Sequence, residues 1–502
     1  MKKVILFYPK ISDVEILKIV PLSLLSILRY IPNKYDYKIF TEFDEDYINK
    51  TLNEIDENTL CVGVSSMTGN QIKGGVELSK LVKKRFPKLP IIWGGWHPSL
   101  LPIETLKEPF VDIVVCGRAE LTFPELLEAL EKRTSLNKVK GIYYKKNSKI
   151  FKTEIRLLEK LDNMPPTPYY LLKDIENYIV KEDNQRATNF YTSYGCPYAC
   201  DFCAIQSIYN RRWNGLNAEK VVDEIENLVK KYKLTKIFTN DDNFYVDEKR
   251  VYGILKGLKE RKINIKLAAT NGKSKTLANY KQETWELMSE YITDILIGAE
   301  SASQDTLKHI HKECDVEHTF EFAKLCKKYK IQSVYSLMIG FPFIDTEEKQ
   351  KKEFSEMIKF IKKLMIIDSN SRVMLFNYTP YPANPLFEES KKKGFKEPKK
   401  LIDWSNIILN NKTTPWLPDK YALASEMITG YSLPILLNYK NIMNDNERKV
   451  KKFSPLLKAL FLSAYCITKL RWDFEFFRFP IDYILFKKYM KPKLVNYAKE
   501  RR

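Results

Sequence analysis

Three cysteines stand out as the residues best suited to chemistry: Cys196, Cys200 and Cys203 in the segment "GCPYACDFC". Cysteine thiolates select zinc or iron–sulfur clusters. A structural zinc site requires four protein ligands, and the sequence has no further Cys or His within about fifty residues on either side. A cubane cluster held by three thiolates leaves one iron open to a substrate or cofactor. The cysteine count therefore favours a [4Fe-4S] cluster over a zinc or redox site.

The elements before these cysteines alternate between strand and helix. The sequence predicts five short apolar strands, over residues 3–9, 37–43, 61–67, 90–95 and 112–117, with amphipathic helices between them. This alternation predicts a Rossmann-like parallel sheet covered on both faces, which is an α/β fold. Ligands of such sheets bind beyond the carboxyl ends of the strands. A G-x-G-x-x-G motif is absent after the first strand, which disfavours a dinucleotide.

A second alternating series begins at residue 189 and carries the cysteines in the loop after its first strand. Its six predicted strands with intervening helices are typical of a partial β/α barrel. We therefore expect a Rossmann-like domain over residues 1–145, a linker over 146–185, a partial (β/α)6 barrel over 186–400 and a helical basic region over 401–502.

The C-x3-C-x2-C spacing, with an aromatic residue before the last cysteine, resembles the radical S-adenosylmethionine (SAM) superfamily. The resemblance implies that the open iron of a [4Fe-4S] cluster binds the amino and carboxylate groups of SAM. Electron transfer from the cluster then yields a 5′-deoxyadenosyl radical that abstracts hydrogen from an unactivated carbon. By the same resemblance, the expected SAM contacts are Phe202, Asp241, Asp242, Asn243, Glu300, Ser301, Ser336 and Gly340.

The first series resembles the cobalamin-binding group of that superfamily, in "SSMTGNQIKGGVELS", "PIIWGGWHPSLLP" and "DIVVCGRAELTFPELLEAL". The match runs through most of residues 1–440. It implies that the loops after strands three, four and five hold cobalamin. The expected contacts are Ser65, Ser66, Met67, Thr68, Gly94, Gly95, Trp96, His97, Gly117 and Glu120.

The sequence departs from cobalamin proteins at two places. The D-x-H-x-x-G motif that supplies a cobalt ligand in proteins of the methionine synthase type is absent, as it is in many members of the radical group. "GRAE" stands where G-E-G-E is expected, so Arg118 and Ala119 replace an acid and a glycine. His97 is a candidate cobalt ligand, although Pro98 after it favours a role in fixing the loop.

A second metal site is conceivable in the H-x-H-x2-C-x3-H pattern of His309, His311, Cys314 and His318. The segment corresponds to a loop before a barrel helix in the resembling group. Lys312 and Asp315 fill the expected loop and helix-cap positions there. We therefore expect loop and capping chemistry rather than zinc.

Positive charge is concentrated near the end of the chain. The formal net charge is +20, and residues 448–502 hold fifteen Lys and Arg against four Asp and Glu. Their longest uncharged run, residues 459–468, is about half of what a membrane-spanning helix requires. The mixture of basic and aromatic residues suggests either peripheral contact with an anionic membrane or helices packed on the barrel. We do not expect a nucleic-acid partner, because no RNA-binding motif is present.

The resulting hypothesis is a cytoplasmic radical SAM enzyme that uses a [4Fe-4S] cluster, SAM and cobalamin, with peripheral membrane contact as one reading of its basic C-terminal region. It would methylate, cyclise or rearrange an unactivated carbon of a small-molecule or lipid substrate, with flavodoxin or ferredoxin as reductant. A methylthiotransferase is the alternative among enzymes, but only Cys61 and Cys116 precede the cysteine loop, where a second cluster needs three cysteines. A noncatalytic cobalamin carrier or sensor is the alternative outside enzymes.

Overall fold

The structure is a computed structural model that describes residues 1–12, 18–31, 33–182, 184–408, 412–437, 455–477 and 480–490. These residues form a Rossmann-like sheet, a partial barrel and a helical C-terminal region, which confirms the predicted α/β fold class. Part of the predicted basic C-terminal region, at 409–411, 438–454, 478–479 and 491–502, lies outside the described residues.

The first unit is a single mixed sheet. Its strands are β1 (Lys3–Phe7), β2 (Asp36–Phe40), β3 (Thr59–Ser65), β4 (Ile91–Gly94), β5 (Ile113–Val115), β6 (Ile142–Lys146) and β7 (Lys149–Lys152). They lie in the order β2-β1-β3-β4-β5-β6-β7, and β1 to β5 run parallel. All five predicted strands are present and parallel. Each ends one to three residues earlier than predicted, because the pairing stops where the chain turns into the following loop.

Both faces of this sheet are buried, as the apolar strands predict. Along β1, Ile5 and Phe7 belong to one hydrophobic cluster while Val4 and Leu6 belong to the other. The covering helices are α1 (Leu22–Ser26), α2 (Tyr47–Asn53), α3 (Asn70–Arg85), α4 (Trp96–Leu100), α5 (Pro102–Lys107) and α6 (Thr122–Glu131). Helices α2, α3 and α5 cover one face, and α1 and α6 cover the other.

The first sheet continues beyond the expected boundary at residue 145. Strands β6 and β7 are an antiparallel hairpin on its edge, with Tyr143 opposite Lys152. Asn147 and Ser148 both have positive φ, 50° and 61°, as a tight two-residue hairpin turn requires. The predicted linker also ends in a strand, β8 (Val180–Glu182), which pairs with the barrel. Short hairpin strands carry weak periodicity, so the sequence interpretation assigned them to a connector.

The barrel contains the six parallel strands that the sequence predicts. Its strands are β9 (Gln185–Phe190), β12 (Lys236–Thr239), β13 (Lys266–Ala268) with β14 (Thr270–Gly272), β15 (Asp294–Glu300), β16 (Gln332–Ile339) and β17 (Arg372–Asn377). The third strand is split at Ala269, whose φ is 52°, so that β13 pairs with β12 and β14 pairs with β15. The cysteine loop lies inside a hairpin of β10 (Ser193–Gly195) and β11 (Trp213–Gly215).

Helices separate the barrel strands and continue beyond them. They are α7 (Ala204–Tyr209), α8 (Ala218–Tyr232), α9 (Glu248–Glu260), α10 (Ser274–Ala278), α11 (Gln282–Tyr291), α12 (Gln304–His309), α13 (Val316–Tyr329), α14 (Glu347–Ile367), α15 (Pro385–Lys392), α16 (Asp419–Met427), α17 (Pro455–Asp473) and α18 (Ile481–Leu485). Among the described residues, none of these helices combines the length and the apolar character that crossing a membrane requires.

The segment after the barrel returns to the first unit. Leu401 and Trp404 lie in a short 3-10 helix, Leu401–Asn406, and belong to the hydrophobic cluster that α3 covers. Phe387 on α15 belongs to the same cluster, and its ring centroid lies 6.1 Å from that of Trp404. The C-terminal part of the barrel therefore packs on the Rossmann-like unit rather than standing apart from it.

Candidate functional site

A cavity of about 260 Å³ lies where the Rossmann-like unit meets the barrel. One wall consists of residues that follow the carboxyl ends of β3, β4 and β5, which is where ligands of parallel sheets bind. The other wall comes from the start of the barrel. Seven of the ten predicted cobalamin contacts line it: Ser65, Met67, Gly94, Gly95, Trp96, Gly117 and Glu120.

Two glycines shape the sheet side of this cavity. Gly95 has φ +96°, and a Cβ there would lie 2.7 Å from the carbonyl oxygen of Ser66, so a side chain would push the two loops apart. Gly117 has φ +68°, and a Cβ added there would meet no atom within 4 Å. The space over Gly117 is open, which fits the close approach of a large flat ligand such as a corrin.

Ser66, Thr68 and His97, the other three predicted cobalamin contacts, do not line this cavity, and their roles in cobalamin binding stay predictions. His97 is fully buried, its Nδ1 lies 2.9 Å from Thr68 Oγ1, and its ring centroid lies 5.5 Å from that of Trp404. Ser66 accepts a hydrogen bond from the backbone N–H of His97 at 3.2 Å. The three residues hold the loops together behind the cavity wall. Burial lowers the pKa of His97 to about 3, so its imidazole stays neutral.

Arg118 lines the cavity, contacts both of its walls and was not among the predicted cobalamin contacts. Its guanidinium forms an ion pair with Glu120 and donates to the hydroxyl of Tyr191 at 3.2 Å. It also lies over the ring of Tyr194, 4.2 Å from the centroid. Tyr191 and Tyr194 both follow the first barrel strand, so Arg118 connects the two units by charge and stacking. The departure of "GRAE" from the expected motif was the available signal.

The three predicted cluster cysteines lie together on one loop. Cys196 directly follows β10, and Cys203 is the residue before α7. All three are free thiols and are partly exposed. Burial raises the pKa of the Cys200 thiol, and the ammonium groups of Lys312 and Lys273 oppose that rise. Positive charge close to the loop suits a ligand set of three thiolates.

Within the described residues, no three His, Cys, Asp or Glu side chains converge on a single metal ion. A cubane does not require such convergence, because each thiolate binds a different iron at a different corner. A loop without such convergence is therefore compatible with a cubane.

Glu300 and Phe202, two predicted SAM contacts, meet at Lys312. Glu300 ends β15 with φ 62°, and its Oε1 lies 3.0 Å from Lys312 Nζ. That ammonium lies 5.8 Å from the ring centroid of Phe202. Burial lowers the pKa of Lys312, but the nearby Glu300 and Cys200 raise it above its usual value. The Glu300–Lys312 pair therefore borders the cysteine loop. Lys312 was assigned only a loop position from the sequence, because its partner is twelve residues away.

Three further predicted SAM contacts lie at or near the ends of barrel strands. Ser301 is buried, and its Oγ accepts from the backbone N–H of Ser303 at 3.1 Å. Ser336 is half-buried on β16. Gly340 has φ +79°, and its carbonyl oxygen accepts from Trp416 Nε1 at 2.9 Å. These three roles in SAM binding stay predictions.

The "TNDDNF" loop divides its three candidates between different tasks. Asp242 lines the interdomain cavity and accepts from the backbone N–H of Gly195 at 2.6 Å. Burial raises the pKa of Asp242 to about 6. Asn243 Nδ2 lies 3.7 Å from Cys196 Sγ and donates toward it. Both side chains therefore border the cysteine loop.

Asp241 is engaged by neighbouring protein groups, and its role in SAM binding stays a prediction. Its carboxylate is fully buried and accepts from Thr192 N at 2.6 Å, Thr192 Oγ1 at 2.5 Å and Ser193 Oγ at 2.7 Å. Arg250 supports the same turn by donating to Thr192 O at 2.8 Å. Asp241 thus ties the second barrel strand to the approach of the cysteine loop.

The four residues of the second metal pattern point to different partners. His309 stacks on Phe343, with ring centroids 3.8 Å apart, and His311 Nδ1 lies 2.7 Å from an Asp201 carboxylate oxygen. Cys314 Sγ lies 2.9 Å from Ser274 Oγ. His318 accepts from the backbone N–H of Asp315 in the capping box of α13. The expected loop and capping chemistry is confirmed.

Comparison with known proteins agrees with this geometry. Residues 19–127 match the family model of the B12 binding domain, and residues 190–354 match that of the radical SAM superfamily. The uncharacterized methyltransferase PH0819 of Pyrococcus horikoshii is 30% identical over 375 residues, which are 73% of this chain and 78% of that protein. The anaerobic magnesium-protoporphyrin IX monomethyl ester cyclase of a Synechocystis strain is 26% identical over 61% of this chain and 58% of the cyclase.

A solved structure shares the fold over nearly the whole chain. The cobalamin-dependent SAM radical enzyme OxsB, with aqua-cobalamin and SAM bound, superposes with a TM-score of 0.70 at 17% identity. The superposition covers 94% of this chain and 72% of OxsB. The superposition shows a shared fold. The two family models and the relative that is 30% identical show that this chain belongs to the B12-binding radical SAM superfamily.

Proposed function

We propose that this enzyme transfers a methyl group to an unactivated carbon, with cobalamin held in the interdomain cavity and SAM beside the cysteine loop. The observation that carries the proposal is that one cavity is lined by the predicted cobalamin loops and by Asp242, which borders the cysteine loop. Cobalamin supplies a transferable methyl group, and a [4Fe-4S] cluster with SAM supplies a radical that removes hydrogen from carbon.

The residues of this chain have separate tasks in that proposal. Cys196, Cys200 and Cys203 would hold the cluster, and the nearby ammonium of Lys312 offsets negative charge there. Glu300, paired with Lys312, would orient the SAM amine or ribose. The buried strand ends keep water from the radical. In the overall conversion, a methyl group from cobalamin replaces one hydrogen atom on the substrate carbon. That hydrogen atom leaves as part of 5′-deoxyadenosine.

Electrons must reach the cluster from outside, and we propose flavodoxin or ferredoxin as their source. The substrate belongs to the small molecules or lipids. A methylthiotransferase is disfavoured because only two cysteines in the sequence, Cys61 and Cys116, precede the loop. Cys61 lies in β3 and Cys116 directly follows β5, so they belong to separate strands of the first sheet. The 26% identity to a cyclase makes ring formation the second candidate reaction.

The cofactor assignment can be tested on anaerobically reconstituted protein. We expect about four irons per chain, one cobalamin, and formation of 5′-deoxyadenosine from SAM after reduction. Cys200→Ala should lose iron and 5′-deoxyadenosine but keep cobalamin. The matched control is Cys466→Ala, an exposed cysteine far along the chain, which should keep all three. Iron-free wild-type protein would refute the proposal.

The cavity can be tested separately. Gly117→Leu should abolish cobalamin retention while iron and 5′-deoxyadenosine persist. Gly394→Leu is the control, because Gly394 also has positive φ, +94°, but lies away from the cavity. Equal losses in both variants would mean that backbone strain, not the cavity, explains the effect.

Methylation and cyclisation can be distinguished by whether the product contains a methyl group that came from methionine. Cells fed methionine with a deuterated methyl group should accumulate a product that carries the label only when this gene is present. An unlabelled product of lower hydrogen content would instead support the cyclase.

A further inference from the structure

The two C-terminal helices α17 and α18 form a pair that is anchored to the barrel on one side. Trp472, Phe477 and Tyr483 are buried in the main hydrophobic cluster of the barrel. Arg471 on α17 donates to an Asp482 carboxylate oxygen on α18 at 2.7 Å, which joins the two helices. The Ser355 hydroxyl on α14 donates to Glu475 at 2.8 Å. The position of this helix pair is therefore set by packing and polar contacts.

The opposite side of α17 is apolar and exposed. Leu460, Ile467, Leu470 and Phe474 recur at helical spacing, so they form one stripe. Leu470 is 57% exposed and Phe474 is 78% exposed. A helix with apolar residues on both sides normally has a partner on each, and among the described residues this stripe has no covering element.

Helix α18 repeats the pattern. Ile481, Ile484 and Leu485 lie at spacings of three and four residues, and each is about half exposed or more. Large apolar side chains exposed in such numbers on two neighbouring helices are typical of an interaction surface. We call the seven residues Leu460, Ile467, Leu470, Phe474, Ile481, Ile484 and Leu485 the apolar face.

The charge around the apolar face selects its partner. In the sequence, residues 448–502 contain fifteen Lys and Arg but four acidic residues, so both helices lie in a strongly basic segment. Of these basic residues, Lys469 on α17 and Lys487, which follows α18, are exposed. A second copy of this chain would bring the same positive charge to the contact, which disfavours self-association. Nucleic acid would satisfy the charge but would leave Leu and Ile side chains in water. An anionic bilayer satisfies both features.

We propose that the apolar face rests on the surface of an anionic phospholipid bilayer, with its Leu, Ile and Phe side chains among the acyl chains and the basic residues at the head groups. This inference goes beyond the proposed function, because it requires neither the cluster nor cobalamin.

The test is co-sedimentation of the full-length reconstituted protein with vesicles of phosphatidylcholine, with and without phosphatidylglycerol. We expect binding to the anionic vesicles, weaker binding at high salt and little binding to phosphatidylcholine alone. Ile467→Ser with Leu470→Ser should lower partition by about tenfold or more. Ile366→Ser is the matched control, because Ile366 on α14 is 80% exposed outside the apolar face.

Several results would overturn the inference. The inference fails if the wild-type protein stays in solution with every vesicle. It also fails if the double Ser variant binds as tightly as the wild type. Concentration-dependent dimerisation that the double variant abolishes, without vesicle binding, would assign the apolar face to a second copy. Iron content and 5′-deoxyadenosine formation should be unchanged in all variants, so failure here is distinguishable from failure of the proposed enzyme activity.

Discussion

At the scale of single residues, the site depends on buried charges whose partners are distant in sequence. Glu300 and Lys312 lie at the end of one strand and after the next helix, and both side chains are about nine-tenths buried. Their pairing explains why a carboxylate and an ammonium can coexist beside a loop of thiols. A buried ion pair adds little stability by itself, yet removing one partner leaves an uncompensated charge.

The first prediction concerns this pair. Lys312→Met should lower the free energy of unfolding by about 3 kcal/mol, because Glu300 then stays buried without a counter-charge. Combining it with Glu300→Leu should recover much of the loss. Urea denaturation of both proteins, with exposed Lys324→Met as control, measures the difference. A double variant no more stable than Lys312→Met would contradict the pairing.

Glu353 is a second buried carboxyl, beside the predicted adenine loop. Its Oε2 accepts from the backbone N–H of Gly340 at 3.4 Å, and its Oε1 has no hydrogen-bond partner among the described residues. Burial raises its pKa from 4.5 to about 8. The folded protein therefore holds a proton on this group over a pH range in which the unfolded chain has released it.

The second prediction follows from that difference in protonation. As pH rises from about 5 to about 8, this carboxyl should reduce stability by up to about 1.4 kcal/mol per pH unit, since the unfolded state binds fewer protons. Glu353→Gln should remove this loss and should be the more stable protein above pH 8. Urea denaturation across this range is the measurement, with exposed Glu321→Gln as control. Parallel pH curves for wild type and Glu353→Gln would contradict it.

At the scale of secondary-structure elements, the loops at the carboxyl ends of parallel strands form the cavity. The β4–α4 loop touches the β3 loop through Gly95, and the third barrel strand changes sheet at Ala269. These irregular positions bring groups from different strands to one place. Regular strand periodicity places the elements but contains no information about such contacts.

The third prediction tests the contact at Gly95. Gly95→Ala should destabilise the protein by about 1–3 kcal/mol, because φ is +96° and the new Cβ would approach Ser66 O to 2.7 Å. Gly94→Ala should have a smaller effect, since its Cβ would meet only Val115 O, at 3.8 Å. Chemical denaturation compares the two. Equal stability losses would show that the close approach at Gly95 carries no special cost.

At the scale of the whole molecule, residues that follow the barrel in sequence contact the N-terminal unit. The segment after the barrel packs on the Rossmann-like unit through Trp404, which is 1% exposed. Arg118 connects the same unit to the start of the barrel. The two units that form the interdomain cavity are therefore connected twice, at the start of the barrel and after its last strand.

The fourth prediction concerns Trp404. Trp404→Ala should cost about 3–5 kcal/mol, because it removes a large side chain from a closed core. Tyr170→Ala, at a position that is 54% exposed, should change stability by about 0.5 kcal/mol or less. Urea denaturation measures both, and cobalamin retention reports on the cavity. A stable Trp404→Ala protein with normal cobalamin retention would show that this packing does not support the cavity.

Much of the molecule could be predicted from local sequence. The apolar strands of the first unit, the six barrel strands and the cap at Asp315 all follow from periodicity and short-range spacing. The cysteine loop was recognisable because its three ligands lie within eight residues. Seven of the ten cobalamin positions line the cavity, because the carboxyl ends of parallel strands share one edge.

Only the tertiary structure decided which side chains turn toward that edge. Thr68 and His97 lie in the predicted loops, but their side chains contact one another and do not line the cavity. Asp241 and Asp242 are neighbours in sequence, but one ties two strands and the other lines the cavity. Lys312 and Arg118 acquire their roles from partners on other elements. Side-chain direction and long-range pairing depend on packing across the whole fold, which no local pattern encodes.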